Sequence, residues 1–154
     1  MEKVGFFLCT GCGIGDAIDA AAIEEAANDA GAASFTTHPC LCAPEGVALI
    51  RKAIESGEAD GVCIGACSHR EKQQEFAFDP YQVSAERISL REQVAWSHPP
   101  RDEDTQLLAE DLVRMGMARI AKNELPRKLE EEIDPTVLVV GGGLAGLQAA
   151  LAAA

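Results

Sequence analysis

Basic residues are scarce in this chain. Thirteen Lys and Arg stand against twenty-five Asp and Glu, a formal net charge of −12. The cations are scattered singly or in pairs such as Arg51-Lys52 and Arg127-Lys128, so no stripe exists to neutralise a phosphate backbone and nucleic-acid binding is excluded. Long apolar runs are also lacking. The longest, Leu144 to Ala154, is interrupted by Gln148 and falls well short of the roughly 20 residues a bilayer demands, so no direct membrane insertion is expected. No basic leader precedes an apolar stretch at Met1-Glu2-Lys3; nothing marks the chain for export, and a cytoplasmic location is expected. No Ser/His/Asp arrangement or carboxylate pair suggests hydrolysis. Aromatic residues make up only 5% of the chain, with Trp96 the single tryptophan, placed here in the core or at a domain interface.

Cysteine is abundant by comparison. Six cysteines fall in three close pairs, Cys9-Thr-Gly-Cys12, Cys40-Leu-Cys42 and Cys63-Ile-Gly-Ala-Cys67. A chain of this length buries about two thirds of its unfolded surface and needs no disulfide staples. In a reducing compartment such pairs point to metal or redox chemistry instead.

Strands alternate with helices along the chain, the pattern of a doubly wound α/β fold of flavodoxin or Rossmann type, with a mostly parallel sheet and helices on both faces. The apolar run from Val4 to Leu8 reads as a strand covered on both sides. Asp16 is the expected cap of a helix reaching Asn28 or Ala30, ended by Gly31. A short strand is expected over 33–36. A helix opens at Pro44, carries Val47, Ile50 and Ile54 on one face and closes at Gly57. A strand covers 61–64, a short helix falls between Glu71 and Tyr81, and a fourth strand covers 87–90. A long helix over 104–122 puts Leu108, Leu112, Met115 and Arg119 on one stripe, a core face with Arg119 as its solvated end.

The domain plan that follows is an α/β domain over 1–123, an acidic linker over 124–135 and the beginning of a second domain over 136–154. There the apolar segment Thr136 to Val140 precedes Gly141-Gly-Gly143-Leu-Ala-Gly146 and a helical stretch. A G-x-G-x-x-G between strand and helix is the fingerprint of a dinucleotide site. Its glycines admit a pyrophosphate to the backbone and the helix N–H groups face its charge. The acidic ribose partner about twenty positions further on is not in this sequence. The segment therefore reads as the truncated first β-α unit of an FAD- or NAD(P)-binding domain. Gly141, Gly143 and Gly146 would meet the cofactor only where that domain is complete.

In an open parallel sheet, ligands bind beyond the carboxyl ends of the strands, where strand order reverses. Cys9 ends the first strand, Cys12 lies in the loop after it, Cys40 and Cys42 follow the second and Cys67 follows the third. Cys63, inside a strand, reads as a small buried hydrophobe. Four converging thiolates suit tetrahedral zinc or an iron–sulfur cluster. Neither the paired C-x-x-C knuckles of zinc sites nor the contiguous cysteine run of ferredoxins is present. Two further readings stay open: a thiol–disulfide pair at Cys9 and Cys12, and a phosphate loop at Gly11 to Gly15, which lacks any adjacent cation.

These segments taken together, Cys9-Thr-Gly-Cys12-Gly-Ile-Gly, His38-Pro-Cys-Leu-Cys42-Ala-Pro-Glu-Gly, Gly65-Ala-Cys67-Ser-His-Arg70, Leu90-Arg-Glu-Gln-Val-Ala-Trp96 and Val139-Val-Gly-Gly-Gly-Leu-Ala-Gly-Leu147, resemble the N-terminal part of the heterodisulfide reductase A-subunit family. Within it, the B subunit of quinone-interacting membrane-bound oxidoreductase complexes is the most similar relative. The resemblance implies an oxidoreductase subunit with a [4Fe-4S] cluster and, in the full-length protein, FAD. Electrons would pass between the FAD and partner subunits, among them a membrane quinone-interacting one. It implies Cys9, Cys12, Cys42 and Cys67 as the cluster ligands. Cys40, Cys63 and His69 fall where other members are expected to carry different residues and are left out of that set. A contrasting expectation is a zinc-stabilised or metal-free docking domain without redox chemistry. His38, His69 and His98 read first as loop histidines with ordinary hydrogen bonds; the other reading has His69, and Arg70 or Arg91 where these do not simply pair with surface carboxylates, donating toward a cluster sulfur.

Overall fold

The computed structural model describes every residue from Met1 to Ala154. Four parallel strands form one sheet in the order β2-β1-β3-β4: β1 is Val4–Cys9, β2 Ala32–His38, β3 Gly61–Ala66 and β4 Ser84–Ser89. The central strands β1 and β3 are buried along their whole length, which is why both read as unbroken apolar runs rather than alternating ones. Strand order reverses between β1 and β3. This is the doubly wound α/β arrangement expected from the sequence, and its switch point lies between these two strands.

The helices follow from local chemistry. Chain reversal after β1 begins with a four-residue turn of helix, α1 (Ile14–Ala17), then α2 (Ala20–Asp29). The expected continuous helix capped by Asp16 is thus two pieces. Asp19, not Asp16, is the cap of the second, its carboxylate accepting from the amide of Ala21 at 3.0 Å. Helix α3 (Pro44–Glu55) starts on a proline, whose missing N–H costs nothing at the first turn. It ends at Gly57, with φ at +72°. Asp102 caps α4 (Glu103–Lys122) by accepting from the amide of Asp104. Between β4 and α4, Arg91–Ala95 form a single π-helical turn.

Three sequence expectations are corrected. No helix forms between Glu71 and Tyr81; the segment is a chain of turns in which Lys72 takes a left-handed φ of +51°. The buried stripe of α4 is Thr105, Ala109, Val113, Gly116, Met117 and Ile120, whereas Met115 is 56% exposed and Leu108 and Leu112 only flank the core. Close approach explains the difference. A Cβ on Gly116 would stand 2.6 Å from Ile88 Cδ1, so the helix lies tight on the sheet at Gly116, and the face carrying Ala109, Val113, Met117 and Ile120 is buried with it while Met115 turns outward. Finally, residues 136–140 form no strand, because no neighbour offers them a hydrogen-bonding edge. Helix α5 (Leu144–Ala153) buries none of its residues.

The core is one cluster of 29 buried residues, with Phe6 and Phe35 stacked at 5.5 Å between ring centroids. Cys63 belongs to it, fully buried in β3. Burial, with the negative charge of Glu86 added, pushes its thiol strongly upward, away from the thiolate. Cys63→Ser is expected to lower folding stability by about 1–3 kcal/mol, because its hydroxyl finds no partner there. A denaturant titration checks this, and metal content should be unchanged.

Candidate functional site

Loops leaving β1, β2 and β3 meet beyond the carboxyl ends of the strands. The close approach is backbone on backbone. A Cβ on Gly11 would lie 2.0 Å from the carbonyl oxygen of Pro39, so only glycine lets the Cys9–Cys12 loop rest on the Cys40–Cys42 loop. The amide of Thr10 donates to His38 O at 3.0 Å and ties the same two loops. Leu41, fully buried, plugs its loop into the core and sends its two neighbouring cysteines different ways. Cys42 is half-buried, whereas Cys40 is exposed.

A pocket of about 70 Å³ opens there, several times the room one water needs. Its wall holds Cys9, Cys12, Cys42 and Cys67, together with Lys72 and Arg91. The structure therefore brings the four sequence-derived candidates onto one surface and leaves Cys63 in the core and Cys40 outside the wall. Cys40 still touches the group, its Sγ 3.6 Å from that of Cys42. Cys12 sits at φ +55°, a left-handed conformation that costs a cysteine on the order of 1 kcal/mol and clusters at functional sites. The indole N–H of Trp96 donates to its carbonyl at 3.1 Å and holds it there. Trp96 itself is 64% exposed, so of the two expected placements, core or domain interface, the core is excluded; the Arg91 guanidinium is stacked on its ring at 4.5 Å.

Charge around the pocket is arranged by the π turn and by β4. Glu92 accepts from the amide of Ser68 at 2.8 Å and from Ser89 Oγ at 2.9 Å, and pairs with Arg91 at 2.6 Å. Burial works against its ionisation, yet these bonds hold its carboxyl below the usual range. The loop that carries Cys67 is thereby clamped. Burial also raises the Cys67 thiol, and Arg87 and Arg91 counter it only in part. The Cys42 thiol is pushed up to about 11 by burial and by its contact with Cys40.

Arg87 is the residue that sequence reasoning missed. Of the candidate donors His69, Arg70 and Arg91, Arg91 faces the Cys12 thiol, a contact that helps to hold its charge; a second guanidinium bonded to a sulfur comes from β4, where Arg87 Nη2 donates to Cys67 Sγ at 3.1 Å and to Cys67 O at 3.0 Å. A charged pair, Glu86-Arg87, inside a strand with no other charged residue was the available signal.

No three Cys, His, Asp or Glu groups stand close enough together to chelate one ion. A lone zinc would need its sulfurs about 2.3 Å from a shared centre. Four thiols from three loops on one pocket are the donor type that an iron–sulfur cluster takes, one to each metal atom. Tail residues Gly141, Gly143 and Gly146 lie apart from this pocket, before and within the first turn of α5. Gly141 takes φ +116°, and a Cβ on Gly146 would fall 2.0 Å from its carbonyl oxygen.

Fold and pocket define a doubly wound parallel α/β domain with a thiol-lined crevice at its switch point. The chain is similar over nearly its whole length to the A-subunits of archaeal heterodisulfide reductases. It is 30% identical to an iron-sulfur A-subunit of the CoB–CoM heterodisulfide reductase of Methanopyrus kandleri, over 97% of this chain and 23% of that protein. It is 31% identical to the A-subunit of the H(2)/formate:CoB-CoM heterodisulfide, ferredoxin reductase of Methanococcus maripaludis, over 97% of this chain and 24% of that protein. It is 32% identical to the A-subunit of the ferredoxin:CoB-CoM heterodisulfide reductase of Methanosarcina acetivorans, over 98% of this chain and 19% of that protein. The chain thus spans about a quarter or less of the length of the curated relatives it matches. No family model matches it.

Proposed function

We propose that this chain is the electron-transfer portion of an oxidoreductase subunit related to the heterodisulfide reductase A-subunits, and that Cys9, Cys12, Cys42 and Cys67 hold a [4Fe-4S] cluster in it. The observation that carries this reading is the gathering of these four thiols, from three different strand-end loops, on one pocket at the switch point of the sheet. The name of the Methanopyrus kandleri relative, which calls it an iron-sulfur protein, agrees with it. Bound there, the cluster would supply one-electron storage. The chain's own residues provide thiolates, line the pocket with Phe76 and Ile14, and fix the Cys67 loop through Glu92.

Partners in this reading are the other subunits of a redox complex, since the relatives are named as subunits of multi-component reductases. A membrane quinone-interacting partner is its finer form, drawn from the sequence resemblance. No helix of the structure is long and apolar enough to cross a membrane. The deciding measurement is anaerobic reconstitution followed by iron and sulfide analysis, expected to yield about four of each per chain with broad visible absorbance. Stoichiometric zinc in a colourless protein would refute the assignment and favour the docking-domain alternative.

FAD belongs to this proposal only for a longer protein that completes the second domain. The glycine loop supplies a pyrophosphate contact alone, a small part of what holds a dinucleotide. This 154-residue chain is therefore expected to leave flavin fluorescence unchanged when FAD is titrated with it. Tight binding would show that the N-terminal domain itself builds the flavin site.

A further inference from the structure

Arg87 is a buried cation that takes part in no ion pair. Only 9% of its surface is exposed, and its acceptors are two main-chain carbonyls, those of Glu71 at 2.7 Å and Cys67 at 3.0 Å, and the Cys67 sulfur at 3.1 Å. Every ion pair in the chain involves another residue: Lys72 with Glu75, Arg91 with Glu92, Arg114 with Glu110 and Asp111, Arg119 with Glu86. Its Nε is buried with no acceptor at all. The guanidinium is nevertheless held firmly, stacked on the Phe76 ring at 4.6 Å.

Leaving a buried charge uncompensated is among the costliest arrangements a fold can carry. Neutral thiols do not compensate it. Four thiolates around a metal cluster do, because their negative charge exceeds the positive charge of the core they enclose. The polarity of the site thus asks for an anionic group on the Cys67 side.

The geometry points to Arg87 as the residue that sets the reduction potential of the group bound at Cys67. This inference rests on the proposed [4Fe-4S] assignment. Uptake of one electron adds one negative charge, with no bond made or broken and no proton required. A fixed cation and an N–H bond to a ligating sulfur both favour the reduced form and raise the potential. Arg87 acts through Cys67, as a positioning and tuning residue. The planar fork matters as well as the charge, since one guanidinium bridges the sulfur and the Glu71 carbonyl at once.

The test is an anaerobic redox titration of the reconstituted 154-residue chain, with dithionite as the one-electron reductant and electron paramagnetic resonance as the readout. Arg87→Gln is expected to hold wild-type iron and sulfide while its reduction equilibrium shifts at least tenfold toward the oxidised form, about 59 mV lower for one electron. Should that variant not fold, Arg87→Lys serves: a compact ammonium cannot reach both the sulfur and the Glu71 carbonyl, so a smaller shift of the same sign is expected. A wild-type potential in whichever variant carries a full cluster overturns the inference and leaves the cluster assignment standing. A wild-type chain that takes up no iron and sulfide overturns the assignment itself, and this inference with it.

Discussion

Anaerobically reconstituted Cys67→Ser is expected to carry less than a tenth of the wild-type iron and sulfide and to be colourless. Cys67 leaves the end of β3, lies almost entirely out of solvent, and accepts a hydrogen bond from the Arg87 guanidinium. A serine hydroxyl stays protonated at neutral pH and offers a metal no thiolate. Removing the ligand from any one of the three loops breaks the bridge between strands, so Cys9→Ser and Cys42→Ser should behave alike. Cys40→Ser should not, because its side chain lies outside the pocket wall. Iron analysis of the four variants settles the matter. A Cys40→Ser chain that loses its cluster while Cys42→Ser keeps one would show that the wrong thiol of the C-x-C pair has been assigned.

The second large effect is expected at a residue with no chemistry of its own. Gly11→Ala places a methyl group 2.0 Å from the Pro39 carbonyl oxygen. Neither partner is a flexible side chain, so the two cysteine loops must separate. The expected cost is on the order of 3 kcal/mol of folding stability, with cluster content falling alongside it. Gly13→Ala is the natural comparison, for Gly13 has φ +86° and nothing within 4 Å of the added carbon. It should cost only about 1–2 kcal/mol, the strain of a left-handed alanine. Equal losses in the two variants, measured by thermal melting, would mean that the loop contact is not what holds the thiols together.

The convergence of the thiols was legible because it depends on topology alone. Apolar runs at Val4–Leu8 and Gly61–Ile64 mark central strands of a parallel sheet, and residues just past such strands meet at its carboxyl edge. What could not be read was anything decided by irregular backbone. Arg87 meets Cys67 only because the turns between Ser68 and Phe76 fold back under β4, and turns without periodicity leave no pattern in a sequence. The choice between Cys40 and Cys42 rests on Leu41 entering the core, which a spacing of two does not reveal. Helix α4 misled for a different reason. Sequence patterning rewards large apolar side chains, yet here a glycine sets the distance to the sheet, and the stripe that holds it, with Ala109, Val113, Met117 and Ile120, is the buried one.

Strand order also governs when the site can exist. Because β1 lies between β2 and β3, with Val4 beside Ala32 on one side and Gly61 on the other, the cysteine loops become neighbours only after segments distant in sequence have paired. No fragment that folds early contains the pocket, and such non-local parallel pairings form slowly. In the proposed reading, metal loading therefore waits for the sheet, and a cluster once in place would tie the loops of three strands together from outside the core. The loaded chain should then unfold as a single unit and more slowly than the empty one, since opening any of these strands means first surrendering a metal bond.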